Sequence, residues 1–195
     1  QHSITLVTPD APPGVSAATV AEVCDRWVSV PEPRWRSLSR AVRQSAGALP
    51  LQTSIFSSPA LTGAVRDLAQ TQAFDLLYLH TARVAPAADG APRLPKAIDF
   101  IDALSLNMYR RARVQRGLLQ PLFDLEARRM AQYERRLAEI CEIQFVSASI
   151  DRAILGGRAL VAPNGVDTAS FPYNECDDRA DDLIILTGRM GYFPN

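Results

Sequence analysis

Polar side chains able to do acid–base or ligand-binding chemistry follow apolar runs of strand length along the chain. His80 ends the run at 74–80, and Asp99 and Asp102 lie at the end of the run at 96–102. A neutral imidazole in such a position can accept a proton from a hydroxyl or donate a hydrogen bond to an oxygen. Because ligands of open parallel sheets bind at the carboxyl ends of strands, such groups are candidates for a site. The other polar groups in comparable positions are Asp10, Arg83, Ser147, Asn164 and Arg189.

His80, Asp99 and Asp102 also have ordinary structural interpretations. The imidazole can simply hydrogen-bond a neighbouring loop. One carboxylate can orient a ligand hydroxyl while the other caps a helix that starts near Ser105, and capping is the favoured interpretation. A paired acid–base dyad is the alternative, but a spacing of three residues at a strand-to-helix turn does not require the two carboxylates to meet.

A turn containing glycine and arginine follows the last apolar run, at 188–195. Gly188 lets backbone N–H groups approach an anion closely, and the Arg189 guanidinium is well matched to a diphosphate. The segment is neither a G-x-G-x-x-G fingerprint nor a P-loop, so an ordinary strand-to-helix turn is the alternative.

Arginine is concentrated in the predicted helical region 107–136. This region holds eight arginines and three acidic residues, which gives a local charge of about +5 by count. A solvated helix face is the usual interpretation, and a surface that meets anionic lipid headgroups or a polyanionic glycan is the functional one. The arginines are Arg110, Arg111, Arg113, Arg116, Arg128, Arg129, Arg135 and Arg136.

Apolar runs alternate with helical patterns throughout the chain, which predicts an α/β fold. The runs are nearly continuous, so we expect a Rossmann-like parallel sheet that flanking helices bury on both faces. Strands are predicted at 3–8, 27–30, 74–80, 96–102, 143–147, 159–162 and 183–187. Helices are predicted at 19–24, 37–48, 59–70, 107–142 and 149–155, with a break or kink at Pro121. An apolar stripe at helical spacing consists of Met130, Tyr133, Leu137, Ile140 and Cys141.

The composition excludes several classes of protein. The 195 residues are 47% hydrophobic and 22% charged, which fits a globular domain rather than a disordered chain. The net charge of zero argues against a protein that coats nucleic acid, and the sequence lacks a run of about 18 apolar residues that would predict a membrane span. Three distant cysteines and two histidines argue against a disulfide scaffold and a structural zinc site, so reduced thiols and a cytoplasmic location are expected.

Several segments, in order along the chain, resemble landmarks of family-4-like glycosyltransferases. Residues 163–167, P-N-G-V-D, followed by Phe171, resemble the P-N-G-V-D-x-x-x-F signature. Residues 186–195 resemble the strand and turn that open the second domain of these enzymes. Three further segments resemble landmarks of the first domain of these enzymes: residues 78–83, residues 99–102, and Glu134 followed by residues 145–147. The subgroup that the chain resembles is the sugar transferases of bacterial exopolysaccharide biosynthesis.

The resemblance implies a GT-B fold, in which two Rossmann-like domains face each other across a cleft. Such enzymes transfer a sugar from a nucleotide donor to an acceptor with retention, usually without a metal, so we expect a nucleotide-sugar substrate and no cofactor or metal. Residues 1–162 would form the acceptor-side domain, 163–182 an acidic interdomain linker, and 183–195 the start of the donor-binding domain. The first strand is expected before residue 1 and most of the donor domain after residue 195. The chain is therefore expected to be a fragment that is inactive by itself.

The resemblance also implies roles for individual residues. His80 would be catalytic at the sugar-transfer centre. The acceptor would be a glycan or a lipid-linked molecule. The basic region 107–136 would make a peripheral contact with the inner face of the membrane. A nucleic acid partner is not expected. The other implied sites are Gly188 and Arg189 for the donor diphosphate, Asp99, Asp102 and Arg83 beside the acceptor, and Asn164 and Gly165 at the hinge.

Two other functions stay open on the sequence. A nucleotide-sugar epimerase can have the same fold, and it would need catalytic carboxylates and a second domain. The chain can also be a non-enzymatic α/β binding or regulatory module.

Overall fold

Short parallel strands form two sheets in this computed structural model, which describes residues 2–10, 15–114, 117 and 119–171. The first sheet pairs β1 (Thr5–Thr8) with β2 (Arg26–Ser29). The second has the order β3-β4-β5-β6, and every pair in it is parallel. Its strands are β3 (Leu77–His80), β4 (Lys96–Asp99), β5 (Ile143–Val146) and β6 (Leu160–Val161). The predicted α/β fold with parallel strands is confirmed, whereas the strand predicted at 183–187 lies outside the described residues.

Helices connect the strands, as parallel pairing requires. Most predicted helices are present, with ends shifted by a few residues. The helices are α1 (Ala17–Ala21), α2 (Arg34–Gln44), α3 (Leu51–Phe56), α4 (Pro59–Thr71), α5 (Leu104–Val114), α6 (Gln120–Ile140) and α7 (Ser149–Ile154), with a short 3-10 helix at Ala85–Gly90. Helix α3 was not predicted, because its buried residues include Thr53 and Ser54 and it carries no apolar stripe.

Pro121 separates two helices, as predicted. It lies in the first turn of α6, where the missing N–H of proline leaves no helical hydrogen bond unmade. Helix α4 shows the same preference at Pro59, and the Ser58 hydroxyl accepts a hydrogen bond from the backbone N–H of Leu61. Local chemistry therefore fixes where these two helices begin.

The main core lies between the four-stranded sheet and helices α5, α6 and α7. Four members of the predicted stripe are buried, but Ile140 is 54% exposed because it is the last residue of α6, where the helix ends. The buried cluster includes Leu79, Ile98, Phe100, Met130, Tyr133, Leu137, Cys141 and Val146.

The sheet is less completely buried than the apolar runs predict. The prediction of burial on both faces is wrong for β3, where Leu79 is buried while Tyr78 and His80 are exposed, and for β6, which is exposed throughout. These are the edge strands of the four-stranded order, so fewer elements cover them. The strand β4, one of the two central strands, buries Ala97 and Ile98.

Two buried carboxylates from distant elements hold the beginning of α5. Glu134 Oε1, on α6, accepts from the backbone N–H of Ser105 at 3.2 Å. Asp151 Oδ1, on α7, accepts from the backbone N–H of Ala103 at 2.9 Å. The first N–H groups of a helix have no partner inside the helix, so these two side chains supply the missing acceptors. The predicted capping by Asp99 or Asp102 is wrong, because both carboxylates bond other groups.

Glu134 is the more unusual of the two acceptors. Burial raises its pKa to about 7, although hydrogen bonds from Ser105 and its neighbour oppose the rise. Its second oxygen, Oε2, and the nearby Ser105 hydroxyl are buried without a partner of good hydrogen-bond geometry. The folded protein therefore retains a proton on Glu134 at pH values where the unfolded chain has released it.

We predict that the free energy of unfolding falls as the pH rises from about 4.5 to about 7. The folded state binds the Glu134 proton more tightly than the unfolded state, in which the pKa of this side chain is 4.5. The free energy of unfolding therefore falls between pH 4.5 and about pH 7. The loss should reach roughly 3 kcal/mol, at about 1.4 kcal/mol per pKa unit. Urea unfolding of wild type and Glu134→Gln between pH 5 and 8 measures it, because glutamine does not titrate.

The matched control is Glu139→Gln, which changes an exposed glutamate on the same helix. It should follow the pH dependence of wild type. A constant difference in unfolding free energy between wild type and Glu134→Gln across this range would contradict the prediction.

Candidate functional site

His80 and Asp99 lie side by side at the carboxyl edge of the four-stranded sheet. They are the last residues of β3 and β4 and are register partners in the parallel ladder. Neighbouring strands lie about 4.8 Å apart, and partners in register point to the same face. His80 is exposed and Asp99 is half-buried, so a ligand at this edge can reach both.

The carboxylate of Asp99 is oriented by two hydrogen bonds. Oδ1 accepts from the backbone N–H of Ile101 at 2.9 Å, and Oδ2 accepts from the Tyr78 hydroxyl at 3.3 Å. Partial burial, and then the charge of Asp99, raises the pKa of Tyr78, so this phenol remains a donor at neutral pH. Asp99 thus presents fixed oxygens beside His80.

The backbone at this edge adopts a conformation that its residues disfavour. Thr81 has φ of 72° and Ile101 has φ of 63°, and both side chains are branched at Cβ. A β-branched residue with positive φ is a real outlier, and such strain is found preferentially at functional sites. Since glycine or asparagine would normally mark such turns, the sequence gives no signal for either position.

Hydrogen bonds from neighbouring strands hold both strained residues. The backbone N–H of Thr81 donates to the Asp99 carbonyl at 2.8 Å. The Ile101 carbonyl accepts from the Ser147 backbone N–H at 2.8 Å and from the Ser147 hydroxyl at 2.6 Å. The ends of β3, β4 and β5 are therefore joined to one another at the edge that carries His80.

Asp102 belongs to a different contact from Asp99. Its Oδ1 accepts from the Ser147 hydroxyl at 3.2 Å, next to the bond from that hydroxyl to Ile101. The two carboxylates thus have separate partners, and Asp102 orients the turn after β4 together with Ser147. Ser147 was a candidate from its place in the sequence, and the structure gives it this supporting contact.

Arg83 connects the site to the helices behind it. Its Nε donates to Gln52 Oε1 at 3.1 Å, and Gln52 Nε2 lies 3.2 Å from the sulfur of Met108. Gln52 belongs to α3, the helix that sequence reasoning missed. Half-buried Arg83 is therefore fixed three residues beyond His80 by a partner that only the tertiary structure supplies.

The predicted hinge lies in an exposed segment after β6. Asn164 and Gly165 are both exposed, and a Cβ on Gly165 would meet nothing within 4 Å. Asp167 orders the next turn, with Oδ1 accepting from the Ala169 N–H and Oδ2 from the Ser170 hydroxyl. The hinge role stays a prediction, and Gly188 and Arg189 lie outside the described residues.

Within the described residues, the basic region 107–136 lies on helices α5 and α6. Exposed Arg113 lies over the Tyr109 ring at 4.8 Å. Arg129 instead makes structural contacts: its guanidinium pairs with Glu126 at 3.3 Å and donates a hydrogen bond to the Ser45 carbonyl at 2.8 Å. Arg116 lies outside the described residues. Exposed apolar side chains near the turn between the helices are Tyr109, Val114, Leu119, Leu122 and Leu125.

The described residues contain neither a metal-ligand cluster nor a membrane-spanning helix. Across 2–10, 15–114, 117 and 119–171, no group of three or more His, Cys, Asp or Glu side chains could hold a metal ion. In the same part of the chain, no helix is both long and apolar enough to cross a bilayer. Burial raises the pKa of the Cys141 thiol to about 11, which makes it a core residue rather than a nucleophile.

Comparisons with known proteins found no match to this chain among protein-family models, curated proteins or solved structures.

We predict that Ser147→Ala lowers the free energy of unfolding by about 1 kcal/mol, the usual cost of a lost hydrogen bond in a folded protein. The hydroxyl has two acceptors, at Ile101 and Asp102, and the first belongs to a strained residue. Denaturant unfolding at neutral pH measures the change. Ser149→Ala, at the exposed start of α7, is the control and should stay within about 0.5 kcal/mol of wild type. Equal effects of the two substitutions would contradict a specific role for Ser147.

Proposed function

We propose that the chain is the acceptor-side part of a retaining glycosyltransferase that moves a sugar from a nucleotide donor to a glycan or lipid-linked acceptor. The observation that carries the proposal is the pairing of exposed His80 with oriented Asp99 at the carboxyl edge of a parallel sheet. This edge is where open α/β sheets bind their ligands. The resemblance of 163–171 and 186–195 to this enzyme family supports the same assignment.

His80 is the proposed catalytic residue. The neutral imidazole of a histidine can both accept and donate a hydrogen bond. At an exposed strand end it can bond a hydroxyl of the transferred sugar or of the acceptor. Oriented Asp99 and half-buried Arg83 give the acceptor side a carboxylate and a guanidinium, the groups that fix sugar hydroxyls and an anionic acceptor.

The departing nucleoside diphosphate needs stabilisation of its developing negative charge. A guanidinium with backbone N–H groups can provide this in a preorganised site. By resemblance, Arg189 and Gly188 take this role, on the far side of the hinge at Asn164 and Gly165. The proposed enzyme has a GT-B fold with domains at 1–162 and from 183 onward, joined by the linker 163–182.

The proposed setting is bacterial exopolysaccharide assembly at the inner face of the membrane. The basic region 107–136 supports it, because exposed arginines there lie among exposed apolar side chains. Anionic lipid headgroups attract such a surface.

The test uses the complete gene product that contains this chain. A panel of radiolabelled nucleotide sugars, with lipid extract as acceptor, should give a glycoside product. His80→Asn should lower kcat by about 10²-fold to 10⁴-fold, the usual range for loss of acid–base assistance. The chain contains one other histidine, so exposed His2→Asn is the matched control and should retain wild-type kcat.

Other results would overturn the proposal. Release of an epimerised free sugar would make the protein a nucleotide-sugar epimerase. Failure of the complete protein to bind any nucleotide sugar by calorimetry would favour a non-enzymatic module.

A further inference from the structure

Helix α2 exposes its apolar face to solvent and buries an arginine on the opposite side. Its buried residues are Arg40 and Ala41, whereas Trp35, Leu38 and Val42 are 64%, 62% and 73% exposed. The spacing of three and four residues places these three apolar side chains on one face of the helix. A surface helix normally turns such a face toward the core, whereas the apolar face of α2 is exposed and can bind a second surface.

An ion pair fixes α2 in this orientation. Arg40 donates to both oxygens of Glu32, at 2.9 and 2.6 Å, and both side chains are largely buried. The same guanidinium also donates to the backbone carbonyls of Ser54 and Ile55. Rotating the apolar face inward would break these bonds and leave a buried charge unpaired, which is costly. The exposure of Trp35, Leu38 and Val42 is therefore built into the fold.

Cations flank the apolar face, and α2 contains no acidic residue. At about 100° per residue, Arg34 lies on one side of the face, and Arg36 and Arg43 lie on the other. All three arginines are exposed. Arg36 and Arg43 also line a shallow groove of about 300 Å³, together with Ser39 and the Glu32 carboxylate that pairs with Arg40.

We propose that α2 is a membrane-docking helix that lies in the headgroup layer of an anionic bilayer. Trp35, Leu38 and Val42 enter the acyl boundary, and Arg34, Arg36 and Arg43 bond lipid phosphates. The charge pattern selects this partner, because an apolar strip with cations on both sides matches apolar tails beneath anionic headgroups. Tryptophan prefers that interface, since its ring is apolar and its N–H is polar.

A second basic surface adjoins α2. Arg129, on α6, donates to the carbonyl of Ser45, the residue that follows α2. The basic region 107–136 thus meets the end of the docking helix, and one short helix alone would bind only weakly. The proposal concerns α2 itself and does not depend on which reaction the protein performs.

The test uses the tryptophan that the helix provides. Trp27 and Trp35 are the two tryptophans of the sequence, so Trp27→Phe in the full chain leaves Trp35 as a single reporter. Vesicles of phosphatidylglycerol and phosphatidylcholine should shift its emission to the blue, and lipids brominated near the headgroup should quench it. Vesicles of phosphatidylcholine alone should do neither. Co-sedimentation of the wild-type chain with the same vesicles gives an independent measurement if Trp27→Phe fails to fold.

Matched variants separate α2 from the rest of the surface. Replacing Arg34, Arg36 and Arg43 by glutamine should weaken vesicle binding roughly a hundredfold, at about fivefold per charge. Replacing Trp35, Leu38 and Val42 by serine should abolish sedimentation with vesicles. Replacing exposed Arg66, Arg93 and Arg158 by glutamine makes the same change in net charge elsewhere and should leave binding within about threefold of wild type.

Three outcomes would overturn the proposal. The first is the absence of binding to anionic vesicles at low salt. The second is lipid binding that survives the α2 substitutions but is lost when Arg110, Arg113 and Arg128 are replaced by glutamine. The third is a blue shift of Trp35 that depends on protein concentration without lipid, with dimers in sedimentation velocity, because the apolar face would then bind a second copy of the chain.

Discussion

The turn after β4 depends on two buried carboxylates, Glu134 and Asp151. They accept hydrogen bonds from the first N–H groups of α5, and each buried donor left without an acceptor would cost about 1–3 kcal/mol. Packing α6 and α7 against the sheet is therefore what allows this turn to be buried. The same turn carries Asp99, Ile101 and Asp102, so the candidate site rests on a contact between elements 29 and 48 residues apart along the chain.

Buried and exposed parts lie next to each other at the carboxyl edge of the sheet. The central strand β4 is covered on both sides, and Ser147 ties the turn behind it. His80, on an edge strand, remains accessible beside it. The imidazole of His80 is therefore open to a ligand beside a well-buried strand. The unfavourable backbone at Thr81 and Ile101 persists for the same reason, because neighbouring strands over-determine it.

Buried ionisable side chains shape two distant parts of the molecule. Glu134 is buried at the core side of α5, and Arg40 is buried on the inner face of α2. In each case an ionisable group that usually faces solvent satisfies backbone groups inside the protein. Because Arg40 faces inward to bond Glu32, the apolar residues of α2 lie at the surface. Fold stability and surface character are thus coupled through one guanidinium.

The sequence by itself determined the alternation of strands and helices, because apolar runs, prolines and helical stripes report on local structure. It located the strands within the described residues, the α4 stripe and the break before Pro121, and it put His80 and Asp99 at strand ends. Helix α3, the partners of Arg83, the exposed face of α2 and the true acceptors at α5 were decided only by tertiary structure. Each of these depends on which distant groups come into contact. The sequence pattern around a polar residue such as Gln52, Glu134 or Arg40 does not predict its hydrogen-bond partner.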